Sequence, residues 1–325
     1  MRSLVSSMIV FVVACGGGAN DPTVDASPAG AGDGAAEPGP VIGPDDTLDA
    51  TTPGLYALPH HTYQIGHLAV ALDTLLAETP DVDNVILYVH GRACGGGGEP
   101  GKSLAEVMPP LETDYQARAL MIYWPGSDDS CPLGFPEDRA RAAGPALVQI
   151  LTELATYEHD LPGRFAARHL TLITHSLGNI VLEQAAESGA LAPLPGDVFD
   201  TVMLASSATA LAGHAAWLPS VAFSPHIYVS VNDGDQVLTA AGIGRGTRLG
   251  KNLGTETLAA NASYVDFTAS NVNHRYFIAS GQHGAHMQAF YQDVMNGRAY
   301  DFAASTGITK VDHRDGASIY TFDGL

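Results

Sequence analysis

Between residues 84 and 268 the sequence alternates short runs dense in β-branched and aromatic residues with longer segments of helical period, and few folds accommodate that alternation. Six runs read as strands: 84–90 (NVILYVH), 119–124 (ALMIYW), 169–175 (HLTLITH), 199–205, 226–231 and 264–268. Helices are expected at 67–78 (Leu68, Val70, Leu72, Leu75 and Leu76), at 136–157 as one long element, at 177–188 and at 285–295. Strands that are apolar almost throughout must be covered on both sides. The expected class is therefore α/β, with a mostly parallel central sheet and helices on both faces. Ligands of such sheets bind beyond the carboxyl ends of the strands. The stretches 207–225 and 238–263 are long enough to form a cover there, and the tail from 298 onward carries no role that its residues argue for.

The first 52 residues have a different character. Met1-Arg2 gives a small positive start, 4–13 is apolar, and Val12-Val13-Ala14 precedes Cys15. This is the pattern of an export signal. A cysteine directly after the small residue resembles the bacterial lipobox, which implies cleavage before Cys15 and a diacylglyceryl group on its sulfur. The bland alternative is an ordinary signal peptide with an incidental cysteine. Gly16 in place of an aspartate resembles the sorting pattern for the outer membrane. Residues 16–52, rich in Gly, Ala, Pro and Asp, cannot bury enough surface to offset their ordering entropy and read as a tether. The expected organisation is a signal peptide at 1–14, a lipidated cysteine and tether at 15–52, and one domain at 53–325.

The formal net charge is −20, from 35 acidic and 15 basic side chains. Such a surface repels phosphate backbones, so nucleic acid is not an expected partner. Membrane contact is expected only through the lipid on Cys15.

Within 172–179 (LITHSLGN) a strand passes directly into a helix at Ser176. A serine hydroxyl is a weak nucleophile until a base stands beside it. A sharp strand-to-helix bend lifts Oγ out of the sheet, and the following helix start offers the backbone N–H of Leu177 to a developing oxyanion. The usual pattern is G-x-S-x-G. Thr174 departs from it, because a β-branched residue crowds the bend. The alternative reading of Ser176 is a plain helix cap. His90-Gly91 closes the strand 84–90, where a second oxyanion donor is sited in this arrangement. Arg92 N–H is the candidate, with Gly91 as the close-approach residue.

These motifs in order, His90-Gly91, then Tyr123-Trp124-Pro125-Gly126-Ser127, then Phe135 to Ala143 with Asp138-Arg139, then His175-Ser176-Leu177-Gly178-Asn179, resemble a bacterial α/β-hydrolase family that is esterase-like and of unclear physiological function. The resemblance spans about 82–280. It implies the α/β-hydrolase fold and the chain order nucleophile, acid, histidine. The acid is then Asp235, with Asp233 as the alternative two residues before it. The histidine is His274, in a segment similar to the family's N-H-x-x-F, with His283 and His286 as alternatives. The implied reaction is cleavage of a small-molecule or lipid ester through an acyl-enzyme, with no cofactor and no metal. An acyltransferase or amidase on the same triad, or a non-catalytic envelope lipoprotein that binds a partner with this scaffold, are the competing readings.

Cys94 and Cys131 fall in loops leaving neighbouring strands. In an oxidising compartment they are expected to form a disulfide, the alternative being two buried thiols.

Overall fold

The computed structural model describes residues 48, 51–59, 61–79, 81–92, 105–126, 135–165, 167–270, 272–278 and 284–323. Cys15, Cys94, Cys131 and His283, and with them the lipidation site, the disulfide and one alternative histidine, lie outside the described residues.

A ten-stranded sheet runs through the molecule in the order β2-β1-β4-β3-β5-β6-β7-β8-β10-β9. Its strands are β1 (Gly54–Ala57), β2 (His61–Gln64), β3 (Asn84–Val89), β4 (Ala117–Tyr123), β5 (His169–His175), β6 (Thr201–Ala205), β7 (His226–Val231), β8 (Ser263–Asp266), β9 (Ile308–Arg314) and β10 (Ala317–Phe322). From β4 across to β10 neighbouring strands are parallel, and both ends of the sheet are closed by antiparallel pairs.

Alternation along β3 shows how the two faces are filled. Val85, Leu87 and Val89 join one core cluster with the helices α1 (Leu68–Glu78), α2 (Gly144–Asp160) and α3 (Gly178–Glu187). Ile86 and Tyr88 join the other with α4 (Ala285–Met295), which supplies Met287, Phe290, Tyr291 and Val294. Successive side chains of a strand point to opposite faces, so one apolar run feeds two cores. A mostly parallel sheet covered on both faces, with an H-G pair after β3 and a serine bend between β5 and α3, is the α/β-hydrolase fold.

One local expectation is corrected. The long helix expected at 136–157 is two helices, Glu137–Ala142 and Gly144–Asp160. Pro145 sits in the first turn of the second, where its missing N–H costs nothing, whereas within a continuous helix its ring would collide with the preceding turn. The tail, on which the sequence pattern was silent, returns as the hairpin β9-β10. Its strand β10 pairs with the edge of β8 and plants Ala317 and Phe322 in the two cores.

Two further strands, β1 and β2, arise from residues without a strong alternating pattern. They form because β1 pairs with the otherwise open edge of β4. The stretch 207–225 packs on the sheet. It drives Trp217, Leu218, Val221 and Phe223 into the core. Within 238–263, Leu249, Leu258 and Ala259 are buried while Ile243 is exposed. No helix among the described residues is long and apolar enough to cross a membrane.

Candidate active site

The chain leaves β3, forms β4 on one side of it and then returns to form β5 on the other. Strand order reverses at this point, the place where open α/β sheets bind their ligands beyond the carboxyl ends of the strands. His90-Gly91 lies at the end of β3 and Ser176 at the end of β5.

Ser176 occupies the left-handed region, with φ 52°, which a residue bearing a Cβ enters only at a cost. The tertiary structure holds it there. Its N–H donates to the Ala205 carbonyl at 3.0 Å, and its own carbonyl accepts from Ala208 N–H at 3.2 Å. Ser176 is 7 % exposed. α3 starts two residues later and passes so close to β3 that a Cβ on Gly178 would stand 2.5 Å from the Val89 carbonyl oxygen and 2.6 Å from that of His90. Only glycine fits there. The approach places the helix start, with the N–H of Leu177 among its unpaired donors, over the end of the sheet.

Thr174, the departure from the usual pattern, is accommodated by Asn179. The threonine hydroxyl donates to Asn179 Oδ1 at 2.8 Å. Asn179 Nδ2 reaches the carbonyls of Thr174, Ser176 and Ala205 at 3.0, 3.1 and 3.2 Å. Both residues are wholly buried, so the amide binds both sides of the bend in a dry setting where each bond counts.

The loop after β3 is built around His90. Its ring stacks on Tyr123 and Trp124, with centroids 5.4 and 5.3 Å away. Burial pushes its pKa down to about 4, so the ring is neutral near pH 7. Nδ1 faces the Gly91 carbonyl at 2.6 Å and donates its proton there, while Nε2 stands 3.1 Å from the Trp124 N–H, from which it accepts, and 3.0 Å from the Trp124 carbonyl. In a trans peptide the N–H lies opposite the carbonyl, so this bond turns the Arg92 N–H away from His90. Gly91 abuts the nucleophile bend: a Cβ on it would be 2.9 Å from Ser176 Cβ.

Of the two candidate carboxylates, Asp235 faces His274, with Oδ2 accepting from Nδ1 at 2.7 Å. Its other oxygen accepts from Leu238 N–H at 3.0 Å and caps the helix Gln236–Gly242. Asp235 is 1 % exposed and the His274 side chain 14 %. Asp233 is turned outward. Hydrogen bonds from Lys251 and Asn252 hold its carboxyl below the usual range, and it does not approach His274. His286 packs under Gly307 at the root of the C-terminal hairpin. Among the described residues no group of three metal-ligating side chains forms. With Nδ1–H committed to Asp235, the lone pair of His274 is left on Nε2, the arrangement of a general base.

Sequence reasoning did not anticipate Asn179 or the fold-wide role of His90. Both stand inside motifs that the sequence displays, but their side-chain tasks depend on contacts made in three dimensions, with Trp124 for His90 and with the Ala205 carbonyl for Asn179.

No protein-family model matches the chain, and no curated protein does. Among solved structures it is similar to an esterase of Pyrobaculum calidifontis, at 14 % identity and a TM-score of 0.36 over 65 % of this chain and 76 % of that one. It is also similar to carboxyl esterase 2 of the mycorrhizal fungus Tuber melanosporum, at 13 % identity and a TM-score of 0.36 over 67 % of this chain and 80 % of that one. Likenesses this shallow carry no conclusion about chemistry, which rests on the residues of the chain itself.

Proposed function

We propose that this protein is a serine hydrolase that cleaves a carboxylic ester, with Ser176 as nucleophile, His274 as base and Asp235 as the orienting acid. One observation carries the reading: His274 donates Nδ1–H to a buried carboxylate at 2.7 Å, on the loop that follows β8, while a strained serine stands at the end of β5. A buried carboxylate holding a histidine in one tautomer costs desolvation, and catalysis is the use that explains it.

In this mechanism His274 Nε2 takes the Ser176 hydroxyl proton as Oγ attacks the ester carbonyl. The N–H groups of Leu177 and Arg92 hold the oxyanion. The proton then passes to the leaving alkoxide, an acyl-serine remains, and water activated by the same imidazole releases the acid. Every step uses groups of this chain. In the same reading Cys15 carries a lipid and residues 16–52 tether the domain to the bacterial envelope, on the strength of the sequence pattern alone.

The test is Ser176→Ala, assayed on p-nitrophenyl acetate and with a fluorophosphonate probe. Wild type is expected to turn over the ester and take up the probe, and the variant to do neither. Equal labelling of both would refute the serine. Anchoring is tested separately, by palmitate incorporation in wild type and Cys15→Ala during bacterial expression.

A further inference from the structure

The loop that carries His274 is neither helix nor strand, so its position depends on side chains that reach it from the sheet. Asn232 Nδ2 donates to the Val272 carbonyl at 3.0 Å, the Tyr276 hydroxyl donates to Ser230 Oγ at 2.9 Å, and the Tyr115 hydroxyl donates to the Phe277 carbonyl. These bonds fix the two ends of the loop. The carbonyl of His274 itself receives two more donors. Ser206 Oγ–H reaches it at 2.7 Å and His175 Nε2–H at 3.3 Å. The His175 ring also packs against the His274 and Phe277 rings, with centroids 4.8 and 4.9 Å away.

Ser206 stands at the end of β6 as Ser176 stands at the end of β5. It too lies in the left-handed region, with φ 45°, and it is wholly buried. Its N–H donates to Ser230 Oγ at 3.0 Å, the same oxygen that receives Tyr276 from the histidine loop. A glycine would adopt this φ without strain. What the serine adds is one hydroxyl, which donates to the backbone of His274 and also meets the hydroxyl of Tyr276 on the same loop.

We infer that Ser206, seconded by His175, is a positioning residue for the proposed base: the two side chains clamp the His274 carbonyl and thereby fix the direction from which the imidazole approaches Ser176. The inference rests on the hydrolase reading and deepens it. Two donors on one carbonyl oppose its rotation and so hold the 274–275 peptide plane. Asp235 then sets the remaining rotation of the ring. Two strained bends on neighbouring strands thus have complementary tasks, one presenting the nucleophile and the other the partner of its base. Misplacement by about 1 Å is enough to cost on the order of 10²-fold in rate.

Ser206→Gly tests this, because it removes the hydroxyl while relieving backbone strain and so keeps the fold. Ser206→Ala is the companion that retains the Cβ, and His175→Phe keeps a ring but no donor. On p-nitrophenyl acetate both Ser206 variants are expected to lose roughly 10- to 100-fold in kcat with KM nearly unchanged, and His175→Phe to lose less. The downfield proton resonance of the His274–Asp235 hydrogen bond is expected to move or broaden in Ser206→Gly, with no drop in thermal midpoint. Wild-type kcat in Ser206→Gly, or an unmoved resonance, overturns the clamp. A wild type inert to ester and probe would sink the hydrolase reading, yet the resonance would still judge the clamp.

Discussion

Thr174 and Asn179 face one another across the serine bend: the Thr174 hydroxyl donates to Asn179 Oδ1 at 2.8 Å, and Asn179 Nδ2 donates back to the Thr174 carbonyl at 3.0 Å. The pair explains how the bend tolerates a β-branched residue where glycine is usual. Asn179→Ala takes the acceptor from the Thr174 hydroxyl and removes one donor from each of three nearby carbonyls, two of which keep backbone N–H partners. It is expected to cost about 1–3 kcal/mol in denaturant unfolding. The two sites act as one unit, so Thr174→Ala should cost much less in the Asn179→Ala background than alone. Strict additivity in this double-mutant cycle would rule out the coupling.

The strain at Ser176 gives a second expectation. Two substitutions that remove the hydroxyl should differ in stability, because only one of them relieves φ 52°. Ser176→Gly is expected to be more stable than Ser176→Ala by about 1 kcal/mol, both being inactive. Calorimetric midpoints in the reverse order would show that the bend is not strained.

Asp235 performs two tasks with two oxygens, and they can be separated. Asp235→Asn keeps an acceptor for Leu238 N–H but forces an N–H or a neutral oxygen onto His274, so the imidazole loses its tautomer. Turnover should fall by roughly 10³- to 10⁴-fold, with the unfolding midpoint little changed. Asp235→Ala should lose activity and, through the missing cap, about a further 1 kcal/mol of stability. Equal stability in the two variants would show that the cap contributes nothing.

His90 makes the fold acid-sensitive. Its native pKa lies near 4 because the ring is buried, whereas in the unfolded chain it lies near 6.5. Between those values the unfolded state binds the additional proton, so the contribution of His90 is intact above pH 6.5 and is lost as pH falls toward 4. That gap corresponds to roughly 3 kcal/mol. Wild type should therefore lose about that much more stability than His90→Asn between pH 6.5 and 4, as read by urea midpoints at fixed ionic strength. His175, which burial also keeps neutral, is present in both, and a charge on His90 opposes its protonation further. Parallel curves would contradict the buried neutral ring.

Much of the scaffold was legible because its signals are local. The runs NVILYVH and HLTLITH are strands for reasons contained in their own residues, and the serine bend was visible where HLTLITH meets SLGN. The division at Pro145 was readable in principle, since proline in a first turn is a local signal, but the apolar period ran on past it. The outer strands were not readable. β1, β2, β9 and β10 take their pairing from the open edges of β4 and β8, and β9 itself carries mostly exposed side chains.

By itself the sequence determined the layered α/β character, the serine at a strand-to-helix bend, and two short segments able to supply an acid and a histidine. Periodicity, β-branching and bend chemistry act over a few residues and need no partner. Tertiary structure decided which groups meet. Asp235 rather than Asp233 faces His274 because the helix Gln236–Gly242 takes that carboxylate as its cap and aims its free oxygen inward. His90 meets Trp124 only when β3 lies beside β4, Asn179 reaches the Ala205 carbonyl only when β5 lies beside β6, and Ser206 meets Ser230 and the His274 carbonyl only when β6, β7 and the loop after β8 come together, distances in space that separation along the chain does not encode.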